Sequence, residues 1–345
     1  MIEVRTLTDG GQSSLDIAHA VAAWLDAATH SLALALYDVR LHADTAELVK
    51  AALVGAHDRG VDVRLLYNVE RDRRVPVPPP PQTDPSLIEQ LPFATVGVPG
   101  WPDLMHHKYV IRDGTSVWSG SMNWTDDSWT RQENVVVTVE SRDVAQRFKT
   151  DFEQLWTTRD VERSGKVDST PVEVDRKPVR AWFSPKRGEK LAHEIASRIA
   201  DAEHRVRIAS PVITSGPILG TLAEGVHDAR VDIAGVVDAT QVQEVLQQWH
   251  ENGNASWKTP ALRAVVGDGH FTGKRSTPYA PGAVHDYMHA KVTVCDDYVF
   301  IGSFNLSHSG EQNAENVIEV QDSALADRMA AYIDEIRAKY APVAV

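Results

Sequence analysis

The sequence has little of what secreted or membrane-spanning proteins require. It contains one cysteine, Cys295, among 345 residues, so an intramolecular disulfide and a cysteine-based zinc site are both excluded. It has no run of about 18 apolar residues, and residues 1–14 lack the basic-then-apolar order of a secretion signal. We therefore expect a soluble, cytoplasmic protein with no stable membrane insertion.

Positive charge is also scarce. Lys and Arg number 35 against 48 Asp and Glu, which gives a net charge of −13. This balance argues against a protein that coats nucleic acid through overall positive charge, but it leaves room for a local basic groove. The residues that could form such a groove, or could simply be solvated surface charges, are Arg71, Arg73, Arg74, Lys274 and Arg275. The hydrophobic fraction of 43% is sufficient for a full folded core.

The chain contains an internal repeat, in which residues 106–137 match residues 288–320. The paired positions keep an offset of 183 residues and then, after a one-residue deletion, an offset of 182 residues. The pairs are His106 with His289, Lys108 with Lys291, Asp113 with Asp296, Ser121 with Ser303, Asn123 with Asn305, and Glu133 with Glu315. An offset close to half the chain indicates two copies of one domain.

The segments before each motif predict the same elements in both halves. Apolar residues at helical spacing alternate with short apolar runs of strand length, a pattern typical of a mainly parallel sheet covered by helices. The predicted helices are 15–28, 45–58, 190–202 and 218–229, and the predicted strands are 31–39, 61–67, 206–213 and 231–238. We predict an α/β protein with an N-terminal domain over 1–160, a linker over 161–178 and a C-terminal domain over 179–345.

Two irregular stretches lie ahead of the motifs. Residues 75–84 include five prolines, which exclude a regular helix or a central strand. Residues 252–283 are predicted to be a loop as well. Their positions suggest walls or lids of a site, with plain surface loops as the alternative.

The motifs combine an imidazole with an ammonium group. Residues i and i+2 of a strand share a face, so His106 lies beside Lys108, and His289 lies beside Lys291. Ser and Asn of each Gly-Ser-x-Asn segment share a face for the same reason. Two such sets facing each other suit a phosphodiester, because lysine and asparagine side chains can hold its oxygens and the charge that builds up in the transition state.

The two histidines can then divide the covalent chemistry. One imidazole can attack phosphorus, while the other can protonate the leaving oxygen and later activate water. Each ring needs its second nitrogen held, which a carboxylate does well. Glu133 and Glu315 are the candidates for this task, and ordinary loop carboxylates are the alternative interpretation.

This pattern resembles the phospholipase D superfamily, whose signature is His-x-Lys-x4-Asp followed by Gly-Ser-x-Asn. The resemblance implies two similar α/β domains with mixed, mainly parallel sheets, related by a pseudo-twofold axis, with both motifs in one cleft. It also implies a covalent phosphohistidine without a metal or another cofactor. Arg131 departs from the pattern, because the family often has Asn at that position.

The resemblance also implies a role for each matched residue. His106 is expected to be the nucleophile and His289 the acid and base. The substrate-binding set is expected to be Lys108, Lys291, Asn123 and Asn305, with Ser121 and Ser303 supporting it through hydrogen bonds. Asp113 and Asp296 are expected to be structural.

These features predict a metal-independent phosphodiesterase with a phospholipid as its substrate. The two motifs in one chain favour phospholipases and phosphatidyltransferases, and this arrangement also predicts a monomer. The local sequence at Asn123, Asn-Trp-Thr, favours a nuclease that acts on DNA or RNA. The acidic composition would suit a hydrolase of small diesters. A catalytically inactive scaffold is the remaining alternative, although no motif residue is lost in either copy.

Overall fold

A computed structural model describes residues 1–69, 83, 85–253, 256–280 and 282–344. The arginines of the predicted basic groove at Arg71, Arg73 and Arg74, and nearly all of the proline-rich stretch 75–84, lie outside the described residues. Within the described part of the chain, no helix is long and apolar enough to cross a bilayer.

The first half forms a sheet flanked by helices. Its strands are β1 (Ile2–Leu7), β2 (Ser31–Leu36), β3 (Val39–Arg40), β4 (Asp62–Val69), β5 (Ala94–Pro99), β6 (Lys108–Arg112), β7 (Ser116–Gly120), β8 (Trp124–Thr125) and β9 (Asn134–Glu140). Its helices are α1 (Ser14–Asp26), α2 (Ala43–Asp58), α3 (Pro85–Glu89), α4 (Asp126–Thr130) and α5 (Arg142–Thr158).

The second half repeats this plan after a short 3-10 turn at Val161–Arg163. Its strands are β10 (Val172–Val174), β11 (Lys177–Phe183), β12 (Arg205–Ala209), β13 (Asp232–Asp238), β14 (Phe271–Lys274), β15 (Val292–Cys295), β16 (Tyr298–Gly302) and β17 (Asn316–Gln321). Its helices are α6 (Gly188–Ala200), α7 (Gly216–Asp228), α8 (Ala239–Asn252), α9 (Lys258–Asp268), α10 (His308–Gln312) and α11 (Ser323–Arg337).

The helices begin and end where local chemistry favours it. Ser13 caps α1 through a reciprocal capping box with Asp16, which satisfies backbone donors that the first turn leaves free. Ile17, Val21 and Leu25 lie one turn apart along the same helix and are all buried against the sheet. The helical spacing in the sequence therefore predicts both the element and the face that it buries.

The strand order shows the repeat directly. The first sheet has the order β1-β9-β7-β6-β2-β4-β5, and the second has the order β10-β11-β17-β16-β15-β12-β13-β14. Strands β2, β4 and β5 pair in parallel, as do β12, β13 and β14, while the motif strands make antiparallel hairpins. Most strands of each sheet nevertheless run in one direction, so the predicted mixed α/β class is confirmed.

The loop prediction for 252–283 is wrong over about half of its length. The segment contains helix α9, whose Leu262, Val265 and Val266 are buried, and strand β14, which pairs with β13. The sequence signal is weak because α9 contains Pro260 and Gly267, which are unfavourable in helices, and because β14 covers only Phe271–Lys274. Part of the predicted linker is also ordered, since β10 pairs with β11 at the edge of the second sheet.

The motif aspartates tie each motif hairpin to the start of a core strand. Asp113 accepts hydrogen bonds from the backbone N–H groups of residues 29–31, at 2.7–3.1 Å. Asp296 does the same for residues 203–205. Both aspartates adopt positive φ, at 54° and 48°, which Asp tolerates in turns. These contacts are those of structural residues.

The two halves share one hydrophobic core. Phe148 of α5 packs against Phe183 of β11, with ring centroids 4.9 Å apart. Across the same boundary, Met105 forms a bridge with Ala314, and Met288 forms a bridge with Glu133. These reciprocal bridges bring the residue before each motif histidine against the other half of the molecule.

Candidate active site

Both motif histidines lie where the two halves meet. The backbone N–H of His106 donates to the carbonyl of Ala314 at 2.9 Å, and that of His289 donates to the carbonyl of Glu133 at 3.2 Å. The imidazoles are nearly enclosed, with 6% of His106 and 9% of His289 exposed. The fold therefore brings together the two motifs that the sequence places 183 residues apart.

Four basic side chains share this buried site. The pKa of each histidine lies well below its usual range, first because burial disfavours the charged imidazolium and then because Lys108 and Lys291 repel it. Each lysine acts on both histidines, and His106 also lowers the pKa of His289. The electrostatics thus describe one site rather than two separate ones.

The two motif lysines, Lys108 and Lys291, are placed to bind an anion. Lys108 Nζ donates to the carbonyl of His106 at 2.5 Å, and Lys291 Nζ donates to that of His289 at 2.7 Å. Burial lowers the pKa of Lys108 to about 7, against the opposing effect of Glu315. Burial and then repulsion from Lys108 hold the pKa of Lys291 well below its usual range. A bound phosphate would supply the negative charge that this site lacks.

The motif asparagines carry unused polar atoms. The side-chain Oδ1 atoms of Asn123 and Asn305 are buried, and neither has a hydrogen-bond partner among the described residues. Orphaned buried polar atoms are uncommon and costly, and they often mark a place where a ligand binds. Both copies show the same feature. A phosphodiester oxygen can only accept, so the Nδ2–H groups of these amides, rather than the orphaned oxygens, are the atoms that could hold it.

The motif serines make hydrogen bonds to other residues of the site. Ser121 Oγ donates to Asn134 Oδ1 at 2.8 Å, and Ser303 hydrogen-bonds to the Glu315 side chain. Both serines are fully buried. They hold the residues that contact the histidine rings, so their support of the site is indirect and the geometry gives no direct contact with a substrate.

Glu315 holds the first histidine. Its carboxylate lies 2.8 Å from His106 Nδ1, and it is completely buried. Burial raises the pKa of Glu315 to about 7, although Lys108 and the hydrogen bond with Ser303 oppose the shift. With Nδ1 engaged by a carboxylate, Nε2 is the ring nitrogen of His106 that remains for chemistry.

Glu133 does not hold the second histidine, so this part of the sequence prediction is wrong. The ring nitrogen Nδ1 of His289 lies 3.1 Å from Asn134 Oδ1 instead. The Glu133 carboxylate is bonded to Lys274 Nζ at 3.1 Å and to the hydroxyl of Tyr340. The sequence does not point to Asn134, because the alignment of the two copies pairs Glu133 with Glu315 and so suggests the same role for both glutamates.

A one-residue shift of strand register causes this difference. Gly120 pairs with Val136 in the first half, but Gly302 pairs with Val317 in the second, where the repeat would place Ile318. A Cβ on Gly120 would lie 2.1 Å from a backbone oxygen of the neighbouring strand, and a Cβ on Gly302 would lie 2.0 Å from one. Both registers are therefore fixed by close backbone contact, and a one-residue slip exchanges the side chains that face the site.

The register shift begins at the end of the short helix after each motif. Arg131, which follows α4, keeps a helical backbone with φ −119° and ψ −3°. Its counterpart Asn313, which follows α10, is extended, with φ −65° and ψ 161°. Asn313 also accepts a hydrogen bond from the N–H of Leu104 at 2.9 Å, a contact for which an arginine has no acceptor. The departure at Arg131 thus coincides with the divergence of the two backbones.

Two further basic residues, Lys274 and His107, are engaged by side chains other than those of the motifs' lysines and asparagines. Lys274 is buried, and its Nζ contacts Asp9 at 3.0 Å as well as Glu133, so it does not supply a basic groove. His107 is completely buried, with Nε2 lying 2.9 Å from Asp151 and Nδ1 lying 3.2 Å from Asn316. This residue is a packed structural histidine on the opposite face from His106.

Within the described ranges, no group of three or more His, Cys, Asp or Glu side chains has the arrangement of a metal site.

Comparison with known proteins places the chain in a family. The profile described as "Cardiolipin synthase, PLD-like domain" matches residues 21–156 and 195–337, which together make up most of the chain. The protein therefore belongs to the phospholipase D-like family, with one family domain in each half.

Individual relatives are similar over shorter regions. The mitochondrial cardiolipin hydrolase of Xenopus tropicalis is 40% identical over 57 residues, which are 16% of this chain and 27% of the relative. That of Chlamydomonas reinhardtii is 28% identical over 138 residues, 39% of this chain and 54% of the relative. The chain thus spans between about a quarter and about half of the length of these curated relatives.

A solved structure supports the fold. The phosphatidylserine synthase of Haemophilus influenzae Rd KW20 superimposes with a TM-score of 0.66, covering 97% of this chain and 86% of that chain. At 12% identity this likeness shows the fold alone.

Proposed function

We propose that the protein is a metal-independent phosphodiesterase that works through a covalent phosphohistidine. The observation that carries the proposal is the pairing of His106 with the Glu315 carboxylate beside a second histidine and two buried lysines. His106 Nε2 attacks phosphorus, so that a P–N bond forms as the P–O bond to the leaving group breaks. Lys108 and Lys291 balance the charge on the non-bridging oxygens.

His289 moves the protons in both steps. The negative charge of the bound phosphodiester offsets the two lysines, so the His289 ring takes up a proton in the complex. It donates this proton to the leaving oxygen as the phosphohistidine forms, and so becomes neutral. It then takes a proton from water, whose oxygen attacks phosphorus as the P–N bond breaks. His106 and His289 return to their starting states, and the net reaction is hydrolysis of one P–O ester bond.

We propose a phospholipid of the phosphatidyl or cardiolipin type as the substrate. The family profile and the curated relatives carry cardiolipin in their names, and the phosphatidylserine synthase shares the fold. The net charge of −13 disfavours approach to DNA, RNA and anionic membranes alike, so it does not by itself choose between these substrates.

The substrate class can be tested by a side-by-side assay in excess EDTA. The substrates are cardiolipin and phosphatidylcholine vesicles, single-stranded DNA, RNA and bis(p-nitrophenyl) phosphate, with the His106→Ala protein as the blank. We expect the wild-type protein to cleave a phospholipid and the chromogenic diester with EDTA present. Loss of activity that only a divalent ion restores would rule out the metal-independent mechanism, and cleavage of nucleic acid alone would assign a nuclease.

Anion binding should take up protons at alkaline pH. Lys108, with a pKa of about 7 in the free site, is largely neutral at pH 8, and a bound anion raises its pKa again. Sulfate suits the test because its own charge does not change in this range. We expect its affinity to fall by up to roughly tenfold per pH unit above 7, with proton uptake measured by calorimetry in two buffers of different ionisation heat. Binding without proton uptake would contradict a neutral lysine in the free site.

A further inference from the structure

The two catalytic candidates are held by chemically different groups. His106 Nδ1 faces the Glu315 carboxylate at 2.8 Å, whereas His289 Nδ1 faces the Asn134 amide oxygen at 3.1 Å. In the part of the chain that the structure describes, no hydrogen bond or ion pair joins a carboxylate to the His289 ring. The site is therefore asymmetric in charge although it is built from a repeat.

The other groups that face His289 are also known. The charged or titratable ones are Lys291 on its own segment, Lys108 on β6, and His106 from the other half. The ring also makes a hydrogen bond with the backbone of Ser121 as acceptor, which raises its pKa and opposes these groups. Every charged neighbour is thus basic, and each favours the neutral ring.

An amide oxygen and a carboxylate constrain a histidine differently. Both accept a hydrogen bond from Nδ1–H, so both hold the ring in the tautomer that leaves Nε2 for chemistry. Only the carboxylate also stabilises positive charge on the ring. A ring that becomes phosphorylated carries such charge, which suits His106, whereas a ring that must give up its proton readily benefits from a neutral partner.

We propose that Asn134, rather than Glu133, is the positioning residue of His289, and that its neutral amide makes His289 the proton-transfer group. Because this role presupposes the proposed phosphodiesterase, its test needs a readout that does not depend on turnover. The NMR signals of the His289 ring provide one, since they report both the tautomer and the titration of that ring.

Glu133 has a separate structural task. Its carboxylate joins Lys274 of β14 and the Tyr340 hydroxyl, and Lys274 also contacts Asp9. This cluster connects the N-terminal half to the second sheet and the C-terminal segment. Removing one partner of a buried ion pair leaves a charge without compensation, which is strongly destabilising.

The test compares Asn134→Asp, Asn134→Ala and Glu133→Gln. Asn134→Asp should raise the pKa of the His289 ring by roughly one to two units and move the pH optimum of bis(p-nitrophenyl) phosphate cleavage upward. Asn134→Ala should lower kcat by about 10–100-fold with little change in KM, because the ring loses its anchor. Glu133→Gln should lower the Tm by at least about 2 °C and leave the His289 titration in place.

Asn316→Asp is the matched control for the added carboxylate. Asn316 follows Glu315 as Asn134 follows Glu133, but its side chain contacts His107. It should leave the His289 titration where it is in the wild-type protein. If Asn134→Asp does not fold, the wild-type ring still decides the matter, because Asn134 Oδ1 can only accept and therefore requires the Nδ1–H tautomer.

Two results would overturn the role of Asn134. One is a wild-type His289 ring in the Nε2–H tautomer, and the other is a His289 titration that moves in Glu133→Gln but not in Asn134→Asp. If instead the ring behaves as expected while the wild-type protein cleaves no diester, the proposed function fails and the positioning of His289 by Asn134 stands.

Discussion

Replacing His106 with alanine should reduce turnover of bis(p-nitrophenyl) phosphate by on the order of 10⁴-fold or more. The expected loss is this large because the covalent step has no other nucleophile in the same position, with Nδ1 fixed by Glu315 and two lysines alongside. Steady-state kinetics against the wild-type protein measure the effect. Wild-type enzyme quenched in base, where the P–N bond survives, should also carry the nitrophenyl phosphoryl group on His106, which mass spectrometry of peptides can locate.

A neighbouring histidine provides the matched control. His107→Gln removes an imidazole that lies 2.9 Å from Asp151 and 3.2 Å from Asn316, on the opposite face of the strand from His106. The folded fraction of this variant should keep the wild-type rate, although its Tm should fall. A near-normal rate in His106→Ala would remove this residue from the mechanism, and phosphate found on His289 would exchange the two roles.

The sequence predicts the repeated architecture well because its signals are local. Short apolar runs define β2 and β4, helical spacing and the Ser13 cap define α1, and a fixed offset relates the two motifs. The signals for the strands and the helix each span a few residues and follow from burial. The same reasoning fails at α9, which contains Pro260 and Gly267, and at β14, whose four residues are too few to show a period.

The sequence predicts which residue types form the candidate site, but not which side chain contacts each histidine ring. His106 and His289 follow from the repeat, but their partners lie in the opposite half of the molecule. Which side chain reaches each ring depends on the strand register, and the backbones of the two copies diverge at Arg131 and its counterpart Asn313. The backbone conformation at one residue does not appear in the spacing of the motif residues. The sequence therefore does not predict whether Glu133 or Asn134 contacts the His289 ring.

Replacing His289 with alanine should separate the two halves of the reaction. Bis(p-nitrophenyl) phosphate releases nitrophenolate, a leaving group that needs little help from a general acid, so phosphorylation of His106 should still proceed. Hydrolysis of the phosphohistidine needs a base for water and should become very slow. We therefore expect a burst of about one equivalent of nitrophenolate per enzyme, followed by a steady rate lower by roughly 10³-fold or more. Stopped-flow absorbance measures both phases.

A phospholipid should behave differently in the same variant. Its leaving group is an alkoxide, which requires protonation, so the His289→Ala protein should show neither a burst nor accumulated phosphoenzyme with phosphatidylcholine vesicles. The contrast between the two substrates assigns the acid and the base to one residue. His106→Ala should show no burst with either substrate, because the nucleophile itself is missing. A burst of equal size on the phospholipid would mean that the proton for the leaving oxygen comes from another group, for which Lys108 and Lys291 are the nearest donors.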